Sequence, residues 1–194
     1  PTPVRVVRVR PVTIEHQVPL TPIEGRVEAK NRADILAEVT GVLLLGGKEF
    51  REGNSFKEGE VMMRLDNRVA QLELTAQRSQ FLQMLSGQLA DLRSDFPDRW
   101  EEWKAFADAI DVGKTLPDLP LEISGRERFY VANRGVLNGY HSIRAAEERF
   151  SKYTVMAPFD GTVATPTVQP GGLVRAGQLA GSLIGQNNFE VKTA

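Results

Sequence analysis

From Val4 to Leu44 apolar and polar positions alternate in short bursts: Val4/Val6, Val12/Ile14, Val27/Ala29, Ile35/Ala37/Val39 and Val42/Leu44, punctuated by Pro11, Pro19, Pro22 and Asn31-Arg32. A period of two with such breaks predicts short, half-buried strands. At Asp66 the period changes. Asp66 can N-cap a helix, and Val69, Leu72, Ala76, Leu82, Leu85, Leu89 and Leu92 recur at helical intervals. About 28 residues at 1.5 Å rise make a rod about 40 Å long. Pro97 redirects it into a shorter helix, "DRWEEWKAFADAI", which Gly113 can terminate. After the proline-stiffened "KTLPDLPLE", Ser124 and Glu127 stand at the spacing of a capping box, and helix resumes to about Ser151. Its expected seam is Phe129, Val136, Tyr140, Ile143 and Phe150, weakened at Gly135 and Gly139 by roughly 1 kcal/mol each relative to Ala. Two long helices with narrow apolar seams are best satisfied by packing on each other as an antiparallel hairpin.

One β pattern is spelled twice. In "VTGVLLLGGKEFREGNSFKEGEVMMRLD", Gly53 and Gly59 stand six apart; in "APFDGTVATPTVQPGGLVRAGQLAGSL", Gly171 and Gly177 do the same. If the rod leaves a β domain at Asp66 and returns at Lys152, the two halves can reunite as one sandwich around equivalent glycine turns at Gly41, Gly53, Gly59, Gly161, Gly171 and Gly177. Twelve residues separate Gly41 from Gly53 and ten separate Gly161 from Gly171, so a bulge or longer turn is expected near Gly46-Gly47. The fold class is α+β: residues 23–66 and 152–194 form one β domain, 67–151 a helical hairpin with a short helical tip at 96–121, and 1–22 a separate strand region.

Composition removes several functions. A net charge of -1 from 24 basic and 25 acidic side chains spread along the chain leaves no basic block for phosphates, so nucleic acid is not expected as a partner. Absent cysteine excludes disulfides, thiolate metal sites and cysteine nucleophiles, and fits cytoplasm or periplasm equally. No apolar run approaches the roughly 18 to 20 residues that span a bilayer. His16 and His141 show no relation to a nucleophile or paired carboxylate and read as structural. Met62 and Met63 could suit a soft metal ion, but adjacent strand residues face opposite ways, and core packing is the stronger reading. No catalytic, metal or cofactor residue is assigned.

The residues "ILAEVTGVL", "EGNSFKEGEVMMRLD", a helical hairpin and then "KYTVMAPFDGTVATPTVQPGGLVRAGQLAGSLI" together resemble the periplasmic adaptors, or membrane fusion proteins, of bacterial efflux pumps, the resistance-nodulation-division type above all. The "APFDG" stretch followed by two spaced glycines is a fairly specific mark. The resemblance implies a lipoyl-type domain from the two half-motifs, a hairpin projecting toward an outer-membrane channel, a β-barrel and membrane-proximal domain against an inner-membrane transporter, and self-association into a ring. It places the protein in the periplasm, anchored to the inner membrane by a segment outside this chain. "VRVVRVRPVTIEHQVPL" resembles the strand region of the barrel, whose remainder is expected beyond "VKTA". The function implied is a non-enzymatic adaptor for drug or small-molecule export. The alternatives are an ABC-type exporter's adaptor and a lipoyl or biotinyl carrier. A carrier needs a lysine on a tight turn, where this chain has some 85 residues of helix.

Partner contact is expected at the tip: Phe96, Arg99, Trp100, Trp103, Leu116, Leu119 and Ser124. Ser124 matches the serine of an Arg, Leu and Ser set by which many family members touch the channel. Trp100 and Trp103, at i and i+3, share one side of the short helix, where they either cap the hairpin's own end or anchor a partner. Along the shafts, Glu73, Arg78, Arg144, Glu147 and Arg149 read as a solvated face.

Overall fold

A computed structural model describes residues 3–11, 24–120, 125–186 and 189–193. Among the described residues ten strands and four α-helices are arranged as a β domain interrupted by a helical arm. The first-half strands are β1 (Gly25–Ala29), β2 (Arg32–Leu36), β3 (Gly41–Val42), β4 (Ser55–Phe56) and β5 (Val61–Arg64). The arm contains α1 (Arg68–Asp95), a 3-10 turn (Pro97–Arg99), α2 (Trp100–Ala109), α3 (Gly125–Asn133) and α4 (Val136–Ser151). The second half supplies β6 (Thr154–Met156), β7 (Gly161–Val163), β8 (Leu173–Val174), β9 (Leu179–Gly185) and β10 (Phe189–Thr193).

Among the described residues every strand pair is antiparallel, and all but β7 with β9 join one half-motif to the other. The four-stranded sheet runs β2-β9-β7-β4, flanked by the pairs β3-β8 and β5-β6. The exchange between halves is reciprocal down to single hydrogen bonds. Gly59 N–H donates to the Ala157 carbonyl at 2.9 Å, and Gly177 N–H donates to Ala37 at 2.7 Å. Gly53 N–H donates to Val163 at 2.9 Å, and Gly171 N–H to Leu43 at 2.8 Å. Neither half can satisfy these backbone groups alone, so the doubled pattern specifies one domain rather than two. The shared core contains Ile35, Leu43, Phe56, Met62, Met63, Leu65, Val163, Val174 and Leu183 from both halves.

Gly53, Gly59, Gly171 and Gly177 are turn residues at φ of 84°, 74°, 81° and 80°, where a side chain is strained. Gly41 and Gly161 correct the expectation: they lie in strands, not turns. Each sits where backbones crowd together; a Cβ on Gly161 would lie 2.8 Å from the Ile184 carbonyl oxygen and the Leu183 Cγ. The reciprocal bonds from Gly53 to Val163 and from Gly171 to Leu43 place the two residues by which the first half exceeds the second between Leu43 and Gly53, a stretch that bends at Gly47-Lys48. Met62 and Met63 are both buried, because the β5-β6 register shifts between Val61 and Met63 and breaks the alternation that would have exposed one of them.

β1 and β10 form a separate two-stranded ribbon. Residues 3–11 carry no strand, and Val4, Val6, Val7 and Val9 are exposed. Val12, Ile14 and His16 lie outside the described residues.

Candidate partner-contact surface

The arm is rooted on the sheet. β5 and β6 are hydrogen-bonded neighbours, Leu65 N–H donates to Tyr153 and Asp66 N–H to Val42, both at 2.8 Å, so α1 leaves and α4 returns at one corner. Asp66 Oδ1 accepts the N–H of Arg68, the first residue of α1, at 3.1 Å, while the Arg68 guanidinium holds the Asp66 carboxyl below its ordinary pKa.

α1 is continuous for 28 residues. The opposite arm is not: it breaks at Gly135, whose φ of 76° ends α3 before α4 begins. The buried seam of α1 is Leu74, Arg78, Phe81, Leu85 and Leu92, which keeps Leu85 and Leu92 of the expected one but replaces its first half, and Val69 and Leu72 are 70% and 71% exposed. On the second arm Val131, Val136, Tyr140 and Ile143 are buried, whereas Phe129 is 74% exposed and leaves the expected seam. Gly139 admits α1 closely, since a Cβ there would meet Phe81 Cδ2 at 2.9 Å.

A third layer causes the shift. The segment after Pro97 does not stand at the far end of the rod but runs back down its side. Phe106 packs edge-on to Phe81 and against Tyr140, with centroids 6.5 and 6.4 Å apart. Farther along, the Val112 carbonyl accepts from Arg78 Nη1 at 3.2 Å and Leu116 N–H donates to Glu147 at 2.9 Å. From Asp95 back to Arg78 this layer covers about 25 Å of α1.

Two buried carboxylates clip it down. Glu127 accepts Trp103 Nε1–H at 2.6 Å, and both residues are fully buried. Glu147 accepts Arg78 Nη2 at 2.6 Å and Nε at 3.0 Å as well as the Leu116 amide. Arg78 and Glu147, expected on a solvated face, are thus buried ionic partners with side chains only 8% and 9% exposed. A buried guanidinium and carboxylate are tolerated because each finds several partners. Burial also pushes the Tyr140 hydroxyl above its ordinary pKa, with nearby Arg144 acting against the shift.

This geometry sorts the expected tip residues. Trp103 and Leu116 are buried within the chain and correct the expectation that they face a partner. Of the two roles left open for the indoles, Trp103 fills that of an internal cap. Leu119 is half-buried beside the same core. Phe96, Arg99 and Trp100 are half-buried at the far end. There Phe96 meets Tyr130 edge-on at 5.6 Å, Arg126 lies over Phe96 and Arg93 over Trp100, each at 5.7 Å. Ser124, like Leu121, lies outside the described residues. No signal in the sequence marked the Arg78–Glu147 pair, whose members are 69 residues apart. Among the described residues no group of acidic or histidine side chains could hold a metal ion, and no helix is long and apolar enough to cross a membrane.

Residues 31–186 match the family model described as the barrel-sandwich hybrid domain of RND membrane fusion proteins. Comparison with curated proteins finds no significant sequence relative. Among solved structures, a protein described as an efflux transporter from Bacteroides eggerthii shares 18% identity at a TM-score of 0.60, over 88% of this chain and 44% of its own. A membrane fusion protein from Streptococcus pneumoniae shares 16% at 0.53, over 86% and 64%. The periplasmic adaptor protein EmrA shares 18% at 0.51, over 85% and 75%. At these identities the likeness is one of fold, and the chain spans less than half the length of the first of these proteins.

Proposed function

The chain belongs to the RND membrane fusion protein family, and on that premise we propose that it is a non-enzymatic periplasmic adaptor, joining an inner-membrane transporter to an outer-membrane channel for drug or small-molecule export. The observation that carries this reading is the arm's root: a projection about 40 Å long whose two ends leave one corner of a β domain that neither half-motif can complete alone. Such an element positions a partner at a distance and transmits its orientation to the sheet. In this role the β domain faces the transporter side, the far end of the hairpin faces the channel, and copies associate around the conduit. The protein is held at the inner membrane.

Replacing 67–151 with a short Gly/Ser turn in the full-length protein tests it. The variant is expected to reach normal levels, to lose co-purification with the outer-membrane channel, and to leave cells as drug-sensitive as a deletion strain. Full export by the hairpin-less protein would overturn the proposal.

A further inference from the structure

The far half of the arm carries opposite charges on opposite sides. On α3, Glu127 and Val131 face the core, so Phe129, about 200° around the helix from Glu127, points directly away. Its flanking residues on that exposed side are Arg126 and Arg128. Among the described residues Arg128 makes no ion pair and Phe129 makes no ring contact. On α2, Trp103, Phe106, Ala107 and Ile110 face inward, which turns Glu101 and Asp108 outward with Ala105 between them; Lys104 lies at the edge of this face. Neither acid has an ionic partner among the described residues. Because Trp103 and Glu127 point at each other across the core, the α2 and α3 outer faces lie on opposite sides of the arm.

We propose that these faces meet between copies: the Phe129 ring and Arg128 of one chain dock on the Glu101–Asp108 face of α2 in the next. Two different, complementary patches on opposite sides make a head-to-tail contact, which closes into a ring or continues as a helix but does not form an isologous dimer. An exposed aromatic flanked by arginines is suited to anchor an interface, and the acids across from it set register and partner choice. This deepens the adaptor reading and rests on it. It also gives the fold-back a purpose beyond capping, since α2 supplies the acidic half of the contact.

The test is a photo-crosslinking substitution, Phe129→p-benzoylphenylalanine, in the full-length protein in cells. The expected product is a dimer of this protein with the adduct mapped to α2. Glu101→Arg combined with Asp108→Arg should reduce its yield roughly tenfold, Arg128→Glu should do the same, and the three together should restore it. Each variant is checked for an unchanged melting curve, since all three positions are exposed. Adducts to another protein, no adduct, or a yield indifferent to charge reversal would overturn the interface. Co-purification of transporter and channel from the same cells separates the two levels: partners retained without the adduct sink only this contact, whereas partners absent from the unsubstituted protein sink the adaptor reading.

Discussion

Glu147→Ala attacks the clip that holds the third layer down. It leaves the Arg78 guanidinium in its buried position with the Val112 carbonyl at 3.2 Å, and removes the acceptor of the Leu116 N–H. Breaking a buried ion pair from one side costs about 3–5 kcal/mol, because the surviving charge is left without its counterion. The layer could escape this by detaching. Detachment would expose Trp103, Phe106, Ile110 and Leu116, at about 1.5–3 kcal/mol each, or about 6–12 kcal/mol as an upper bound. Burial therefore outweighs the broken clip, and the layer should stay docked while the whole arm loses about 3–5 kcal/mol. Urea unfolding followed in parallel by circular dichroism at the helical band and by tryptophan fluorescence reads both outcomes, since both indoles belong to α2. The two signals should shift together to lower urea. Arg78→Met with Glu147→Leu, which removes both charges, should recover most of the loss. A penalty under about 1 kcal/mol, or fluorescence changing well before helicity, would refute the reasoning.

Three further outcomes follow from the same structure. Trp103→Phe should cost about 1–3 kcal/mol by leaving buried Glu127 without the indole donor, whereas Trp100→Phe should stay within about 0.5 kcal/mol; equal effects in thermal melts would contradict the assigned burial. Gly161→Ala, whose Cβ meets backbone and the Leu183 side chain, should destabilise the β domain by about 1–3 kcal/mol and leave helical content intact, a split that far-ultraviolet dichroism can measure. Glu28, Glu60 and Asp66 are held below their ordinary pKa values by Lys192, by the Lys57 amide with Lys48, and by Arg68. Groups lowered in the fold bind protons more tightly when unfolded, so their contribution is present above the unfolded values of 4.5 for Glu and 3.8 for Asp and is lost as pH falls through the folded ones. Urea midpoints should be level from pH 7 to 5 and fall below that, less steeply in high salt; a midpoint rising toward pH 3 would contradict the ion-pair assignments.

The sequence makes legible whatever is decided within a few residues. Gly53, Gly59, Gly171 and Gly177 announce themselves because a positive φ excludes other side chains, and their repetition is enough to reunite two halves that are a hundred residues apart. Pro97 marks a helix boundary for an equally local reason, whereas Asp66, expected as the N-cap, stands one residue before the cap position, Asn67, and accepts the Arg68 N–H from there. The phase of α1 is different. Leu72 and Leu74, then Phe81 and Leu82, offer two apolar stripes, and the pattern alone cannot choose between them. The choice belongs to a third layer, α2 and the segment after it, which widens the buried arc until it includes Arg78 beneath Val112. The prolines after Thr115 stiffen that connection but say nothing of its direction, so a segment expected at the end of the rod lies along its side. The same cause governs both misplaced groups. Once α2 and the segment after it occupy one side of the hairpin, Arg78 and Glu147 are buried and paired, Trp103 finds Glu127, and Phe129 is turned to the side that α2 does not cover. An aromatic residue that local periodicity assigned to the core thus becomes an exposed one, and a charged pair that local composition assigned to solvent becomes part of the core.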